Sequence, residues 1–216
     1  MKKTVRYFRK AWETWQIVAI QLGWRKSFES GRPVDALGMP IPWHTYPAIE
    51  FLNTLNYAGR RVFEYGCGNS SIFWASRVNE IFAVENDPNW AAAMRNLDVP
   101  GLTIIQAQVR EEYVNSPKNL GGRFDVVIID GRWRRACANI ACDVVKDGGM
   151  IIFDNADWYP DACSDLRSRG WFQVDFSGLG PINPYAWTTA IFFKFDMPFE
   201  RLENVRPTGG ASPTWP

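Results

Sequence analysis

The sequence predicts an α/β domain built on a mostly parallel sheet with helices on both faces, and three observations predict it. Between roughly 46 and 195, short apolar runs alternate with helical stretches, the pattern of βα units winding onto one sheet. One run, "FDVVIID" at 124–130, is apolar almost throughout, as a strand covered on both faces must be. The run "VFEYGCGNSS" at 62–71 passes from a strand through glycines into a helix, which aims backbone N–H groups and a positive helix end at a ligand.

The elements follow in order. "RVFEY" at 61–65 is the first strand, and "SSIFWASRV" the helix after it, with Ser70 or Asn69 as its cap. "EIFAVE" at 80–85 is the second strand; "DPNWAAAMRNL" then opens a helix with Asp87 at the cap and Pro88 in the first turn. "LTIIQA" at 102–107 and "FDVVIID" are strands three and four, and the helix "RRACANIACDVV" ends at Gly148–Gly149. "MIIFDN" is the fifth strand, "DACSDLRSRG" a helix, and "WFQVDF" and "AWTTAIFFKF" the last two of seven strands. Residues 1–45 read as one helix plus the Pro-rich connector "GMPIPWHTYP", 46–196 as the domain, and 197–216 as an arm or disordered tail.

A chain of 216 residues fits one domain with a full core. An apolar share of 46% and a charged share of 22% are ordinary for a soluble protein. A net charge of +1 supplies no overall field that points to nucleic acid or an acidic polymer. The run "IVAI" at 17–20 is too short for a signal or a membrane span. The four cysteines form no CxxC pair, and His44 alone cannot complete a zinc site with them. Reduced cysteines in a cytoplasmic enzyme are the expectation. The 11 tryptophans suit aromatic pocket walls or core anchors.

In the glycine loop, Gly66 and Gly68 permit close approach of a ligand. Glu64 ends the first strand, where it takes an ammonium group or holds the loop. Glu85 ends the second strand, where an acid accepts both hydroxyls of a ribose. The same spacing serves nicotinamide enzymes, but their third glycine is replaced here by Ser71, and a pyrophosphate does not favour a carboxylate such as Glu64 beside it. At these residues "EYGCGNSS" resembles the first motif of class I S-adenosylmethionine-dependent methyltransferases, and "AVEND" their second-strand acid. The combination is similar to a bacterial small-molecule O-methyltransferase-like group. The likeness covers about 41–195, including "PIPWHTYPAIEFL", "DGRWRRAC" and "GLGPINPYAWTTAIFF". It implies a Rossmann-like methyltransferase fold whose last strand is antiparallel. It also implies S-adenosylmethionine as cofactor, held by Glu64, Gly66, Gly68, Asn69, Ser70, Glu85, Asn86 and Asp130. Gln108, just past the third strand, is placed to meet the adenine edge or to stand in solvent.

Asp130 ends strand four, and Asp154 and Asn155 end strand five. Two carboxylates and an amide oxygen form a hard-oxygen set suited to Mg²⁺. The pattern resembles the catechol-type metal-dependent O-methyltransferases, in which such a set lowers the acceptor hydroxyl's pKa. That family's lysine after the strand-four Asp is absent from "GRWRR", and arginine stays protonated. The alternative is that Asp130 meets cofactor or substrate directly while Asp154 and Asn155 cap the next helix. His44 and Asp130 are the candidate catalytic bases; a His44 bonded to a loop carbonyl is the competing reading. Arg132 and Arg134 either bind an anionic substrate group or lie on a helix surface. Trp133 either stacks on adenine or packs on the sheet, Tyr185 and Trp187 shape the acceptor pocket, and Cys67 packs.

Residues 1–30 carry Lys2, Lys3, Arg6, Arg9, Lys10, Arg25 and Lys26 against Glu13 and Glu29. Val5, Phe8, Trp12, Trp15, Ala19 and Leu22 recur at helical spacing. The stripe is expected to pack on its own domain or on a homodimer mate, with peripheral membrane contact through 1–26 as the alternative. The reading is a methyltransferase acting at oxygen on a small molecule. Its rivals are an NAD-dependent oxidoreductase and a noncatalytic membrane-peripheral binding protein.

Overall fold

The computed structural model describes residues 2–210 except 122, 196 and 204, and only the backbone of Lys2. Seven strands, β1 (Arg61–Tyr65), β2 (Glu80–Glu85), β3 (Leu102–Gln106), β4 (Phe124–Ile129), β5 (Val145–Phe153), β6 (Phe172–Gly178) and β7 (Trp187–Phe193), form one sheet. Their order is β3-β2-β1-β4-β5-β7-β6. Pairing is parallel from β3 to β5, and β7 runs antiparallel between β5 and β6. Strand order reverses between β1 and β4, so the loops leaving those two strands part and open a crevice at their carboxyl ends.

Because side chains alternate across a strand, the central strands feed two cores. Phe63, Tyr65, Val127, Ile129, Ile151 and Phe153 point to one face, where they meet α6 (Arg110–Asn119), α7 (Arg134–Val144) and α8 (Pro160–Ser168). Val62, Val126, Ile128, Met150 and Ile152 point to the other, against α3 (Tyr46–Leu52) and α4 (Asn69–Ala75). All of β4 is buried, as its apolar run required. α5 (Pro88–Arg95) lies against β3 through Ala91, Met94 and Ile104. Its N-terminus is capped as expected, the Asp87 carboxylate accepting the N–H groups of Asn89 and Trp90 at 2.8 and 3.1 Å.

Several boundaries differ from the sequence reading. Neither Ser70 nor Asn69 caps α4: the helix begins at Asn69, with Gly68 in the cap position donating its N–H to Ser71 Oγ at 3.1 Å. α7 stops at Val144 and β5 starts at once, carrying Gly148–Gly149 inside the strand beside a register shift against β4. The tail does not stand off as an arm up to residue 210. Phe199 is buried on Tyr57, and Asn56 and Leu202 exchange backbone bonds with Glu200 and Thr54. Residues 211–216 lie outside the described residues. The N-terminal region is two helices, α1 (Lys2–Gln16) and α2 (Trp24–Ser30), joined by a π turn at Ile17–Gln21. Only the end of the apolar stripe packs on the domain: Ala19 is 1% exposed, whereas Val5, Phe8, Trp12 and Trp15 are 66, 65, 60 and 47% exposed. No described helix is long and apolar enough to cross a membrane.

Candidate active site

The crevice holds a cavity of about 460 Å³ lined by Glu64, Gly66, Cys67, Gly68, Asn69, Ser70 and Glu85 from the β1 and β2 ends. Asp130, Gly131, Arg134, Asp154 and Asn155 line it from the β4 and β5 ends. Trp43, Trp90, Trp158, Tyr185 and Trp187 supply aromatic walls, and Gly31–Pro33 and Asn183 the rest.

The glycine loop is shaped by a close backbone crossing. Gly66 has φ +99°, a left-handed conformation that favours glycine, and a Cβ there would lie 3.3 Å from Gly131 Cα. Gly131 itself has no room for a side chain: a Cβ would collide with Tyr113 Oη and lie 2.8 Å from Gly66 N. By contrast, a Cβ on Gly68 would meet nothing within 4 Å. Its space is open to the cavity.

Glu64 is 1% exposed beneath this loop. Its two carboxylate oxygens accept the hydroxyls of Ser70 and Ser71, tying the first turn of α4 to the end of β1. Burial raises its pKa to about 7, against the lowering effect of those two hydroxyls. Glu85 accepts the N–H groups of Asn86 and Asp87 on Oε1 at 2.7 and 2.8 Å, which turns the chain into α5. Among the described residues its Oε2 meets only the Cys67 thiol, at 3.6 Å, and the residue lines the cavity. Trp90 stands beside it, its indole N–H donating to the Cys67 carbonyl at 2.8 Å.

On the opposite wall, Arg134 gathers the strand ends. Its guanidinium pairs with Asp130 Oδ1 at 2.8 Å and donates to Asn155 Oδ1 at 2.7 Å and to the Asp154 carbonyl at 2.5 Å. Asp154 is buried and accepts the Trp187 indole N–H at 3.0 Å and the Thr189 hydroxyl at 2.5 Å, both on Oδ1. Asn155 holds the N-cap position of the short turn Ala156–Trp158, but its side chain makes no cap bond there. Burial, then the neighbouring Asp154, lifts Asp130 to about 6, while Arg134 and His44 oppose the rise.

His44 is fully buried and absent from the cavity wall. Its Nδ1 lies 3.5 Å from Asp154 Oδ1 and 4.0 Å from Asp130 Oδ2, and among the described residues neither ring nitrogen has a hydrogen-bond partner. Burial disfavours its protonation, but Asp154, Asp130 and Glu64 together raise its pKa above the ordinary value. The connector carrying it is fastened by Thr45, whose N–H donates to Thr189 Oγ1 at 3.1 Å and whose hydroxyl donates to the Phe176 carbonyl at 2.8 Å.

Of the residues selected from sequence, Glu64, Gly66, Gly68, Asn69, Ser70, Glu85, Asp130, Asp154 and Asn155 come together around the cavity. Asn86 and Gln108 do not. Asn86 is engaged by Arg132 Nη1 at 2.8 Å and donates to the Gln108 carbonyl at 3.3 Å. Trp133 packs edge-on to Tyr113 against the core and does not line the cavity. Gly131, Trp90, Trp43 and Trp158 escaped the sequence reading. "DGRW" places a glycine just past a strand-end acid, and "DPNW" places a tryptophan in the first turn of the helix that Asp87 caps, a signal that was available.

No protein-family model matches the sequence, and no curated protein matches it. Solved structures do match. A precorrin-6y C5,15-methyltransferase from Geobacter metallireducens superimposes with TM-score 0.54 at 15% identity, over 68% of this chain and 87% of that one. An rRNA methylase from Streptococcus thermophilus gives 0.51 at 14%, over 68% and 96%. With the strand order and the crevice at β1 and β4, the chain has the fold of the class I S-adenosylmethionine-dependent methyltransferases. At such identities the likeness is one of fold, and the chemistry rests on the site.

Proposed function

We propose that the protein transfers the methyl group of S-adenosylmethionine to an oxygen of a small-molecule acceptor. The observation that carries this reading is the pairing of the Gly66–Gly68 loop with Glu85, whose Oε2 holds just the weak Cys67 thiol contact, across one cavity. Glu85 is placed to accept ribose hydroxyls, Gly68 leaves room for the amino-acid end, and Trp90 offers a face for adenine. A nicotinamide dinucleotide fits less well, because its pyrophosphate would approach the buried Glu64.

In the transfer the acceptor oxygen attacks the methyl carbon in line, the carbon–sulfur bond breaks, and S-adenosylhomocysteine leaves. The sulfonium is already activated, so positioning contributes much of the acceleration. Asp130 lines the cavity with a pKa near 6 and takes the acceptor's proton. His44, closed off from the cavity, serves as a positioning residue behind Asp130 and Asp154 rather than as the base. The aromatic walls suit a flat acceptor bearing a hydroxyl.

The donors present do not fit the Mg²⁺ site suggested by Asp130, Asp154 and Asn155. His44, Asp130 and Asp154 do bring ligand atoms within 4.8 Å of one another. However, the Asn155 oxygen and one Asp130 oxygen are taken by Arg134, and Asp154 Oδ1 holds Trp187 and Thr189. The Arg134 cation already offsets one of the two carboxylate charges. Calorimetry with S-adenosylhomocysteine, NAD and Mg²⁺ tests these points. Saturable heat is expected from the first alone. Binding of NAD without S-adenosylhomocysteine would overturn the reading.

A further inference from the structure

The first helix presents a feature that the fold does not use. Val5, Phe8, Trp12 and Trp15 fall within about a quarter-turn of one another around α1, and each is roughly half or more exposed. Apolar groups of this size grouped on one face mark an interaction surface. Lys3, Arg6, Arg9 and Lys10 occupy the remaining circumference, with Glu13 as the acid among them. At its C-terminal end the helix is anchored: Ala19 is buried, and Trp15 packs edge-on to Trp24, whose indole N–H donates to the Asn183 carbonyl at 3.2 Å on the cavity wall. The stripe continues past the π turn to Phe28, stacked on Trp24 and 62% exposed.

We infer that α1 docks the protein on an anionic lipid bilayer, lying in the plane of the surface with Phe8, Trp12 and Trp15 in the headgroup–acyl boundary. A helix of 15 residues is about 22 Å long and cannot span a bilayer. It does match an interfacial helix with aromatic residues on one face and basic residues on the other. Charge selects the occupant. The basic excess is concentrated in residues 2–30 while the whole chain is only +1, so the rest of the molecule is net acidic. A second copy docking through the same face would bring two basic flanks together. An anionic lipid surface neutralises them.

The test is co-sedimentation of the full-length chain with vesicles of phosphatidylcholine alone and of phosphatidylcholine mixed with phosphatidylglycerol. Binding to the mixed vesicles should be about tenfold tighter or more and should weaken as salt rises. The triple variant Arg6→Glu, Arg9→Glu, Lys10→Glu should lose this preference. The double variant Phe8→Ser, Trp12→Ser should lose binding altogether. Both variants should melt with wild type, because the altered side chains are exposed. Equal binding to neutral vesicles, or none to either, would overturn the inference. So would a doubling of mass in solution that the double variant abolishes, which would assign the face to a second copy. None of these readouts depends on methyl transfer.

Discussion

Gly68 and Gly131 both line the cavity, yet the backbone asks opposite things of them. Gly131 lies against Tyr113 Oη and Gly66 N, so a methyl group there must push the β1 and β4 loops apart. Gly131→Ala is expected to cost about 1–3 kcal/mol of stability, seen as a lowered melting temperature. A Cβ on Gly68 meets no protein atom, so Gly68→Ala should keep the melting temperature while weakening S-adenosylhomocysteine binding in calorimetry. Equal melting losses at both positions would contradict the assignment of the open space to ligand. Glu85 admits a finer substitution. Glu85→Gln keeps an Oε1 acceptor for the Asn86 and Asp87 N–H groups but removes the charge that faces the ribose. Hydrogen bonds to a charged acceptor are worth about 1.5–3 kcal/mol, so affinity should fall about tenfold with the fold intact.

Among the elements, α1 and α2 divide a region that reads in sequence as one helix. Their difference is packing. Described side chains of α1 up to Thr14 are exposed, whereas α2 buries Ser27, whose hydroxyl donates to the Val34 carbonyl at 2.8 Å and accepts the Val34 N–H at 2.9 Å. Deleting residues 2–14 should therefore shift the melting temperature by no more than about 2 °C, and deleting 2–30 should lower it well beyond that. A large loss from the shorter deletion would show that the exposed stripe supports the domain. The helix α6 was hidden in the sequence by Pro117 and a polar surface, although Tyr113 and Val114 bury into the core. The α7–β5 boundary was misplaced for a related reason. Glycines at 148 and 149 look like a helix stop, but strand pairing with β4 takes over at Val145.

Across the molecule, the site stores unfavourable burial that depends on pH. A carboxyl with a raised folded pKa keeps its proton where the unfolded chain has already lost it, so stability falls as pH rises through that window. For Glu64 the window runs from 4.5 to about 7, and for Asp130 from 3.8 to about 6. His44 adds the same sign. Its raised pKa contributes stability below the ordinary 6.5 that is lost at higher pH. The ligand-free protein should melt at a higher temperature at pH 5 than at pH 8. Glu64→Gln should flatten the profile by an amount on the order of 3 kcal/mol between those limits. An unchanged slope in that variant would remove Glu64 as its source.

The alternation of apolar runs, the glycine loop and the strand-end acids Glu64, Glu85, Asp130 and Asp154 were legible in the sequence by itself. Each follows from short-range chemistry: side-chain period, backbone freedom and the end of a strand. The placement of His44 against Asp154, the crossing of Gly66 over Gly131 and the use of Arg134 as the cation among the acids were decided only by the tertiary structure. His44 reaches Asp154 because Thr45 bonds to β6 and β7, far along the chain. Arg134 reaches Asn155 because β4 and β5 lie side by side in parallel register. Such contacts arise when distant segments share one sheet, and no local pattern of residues encodes them.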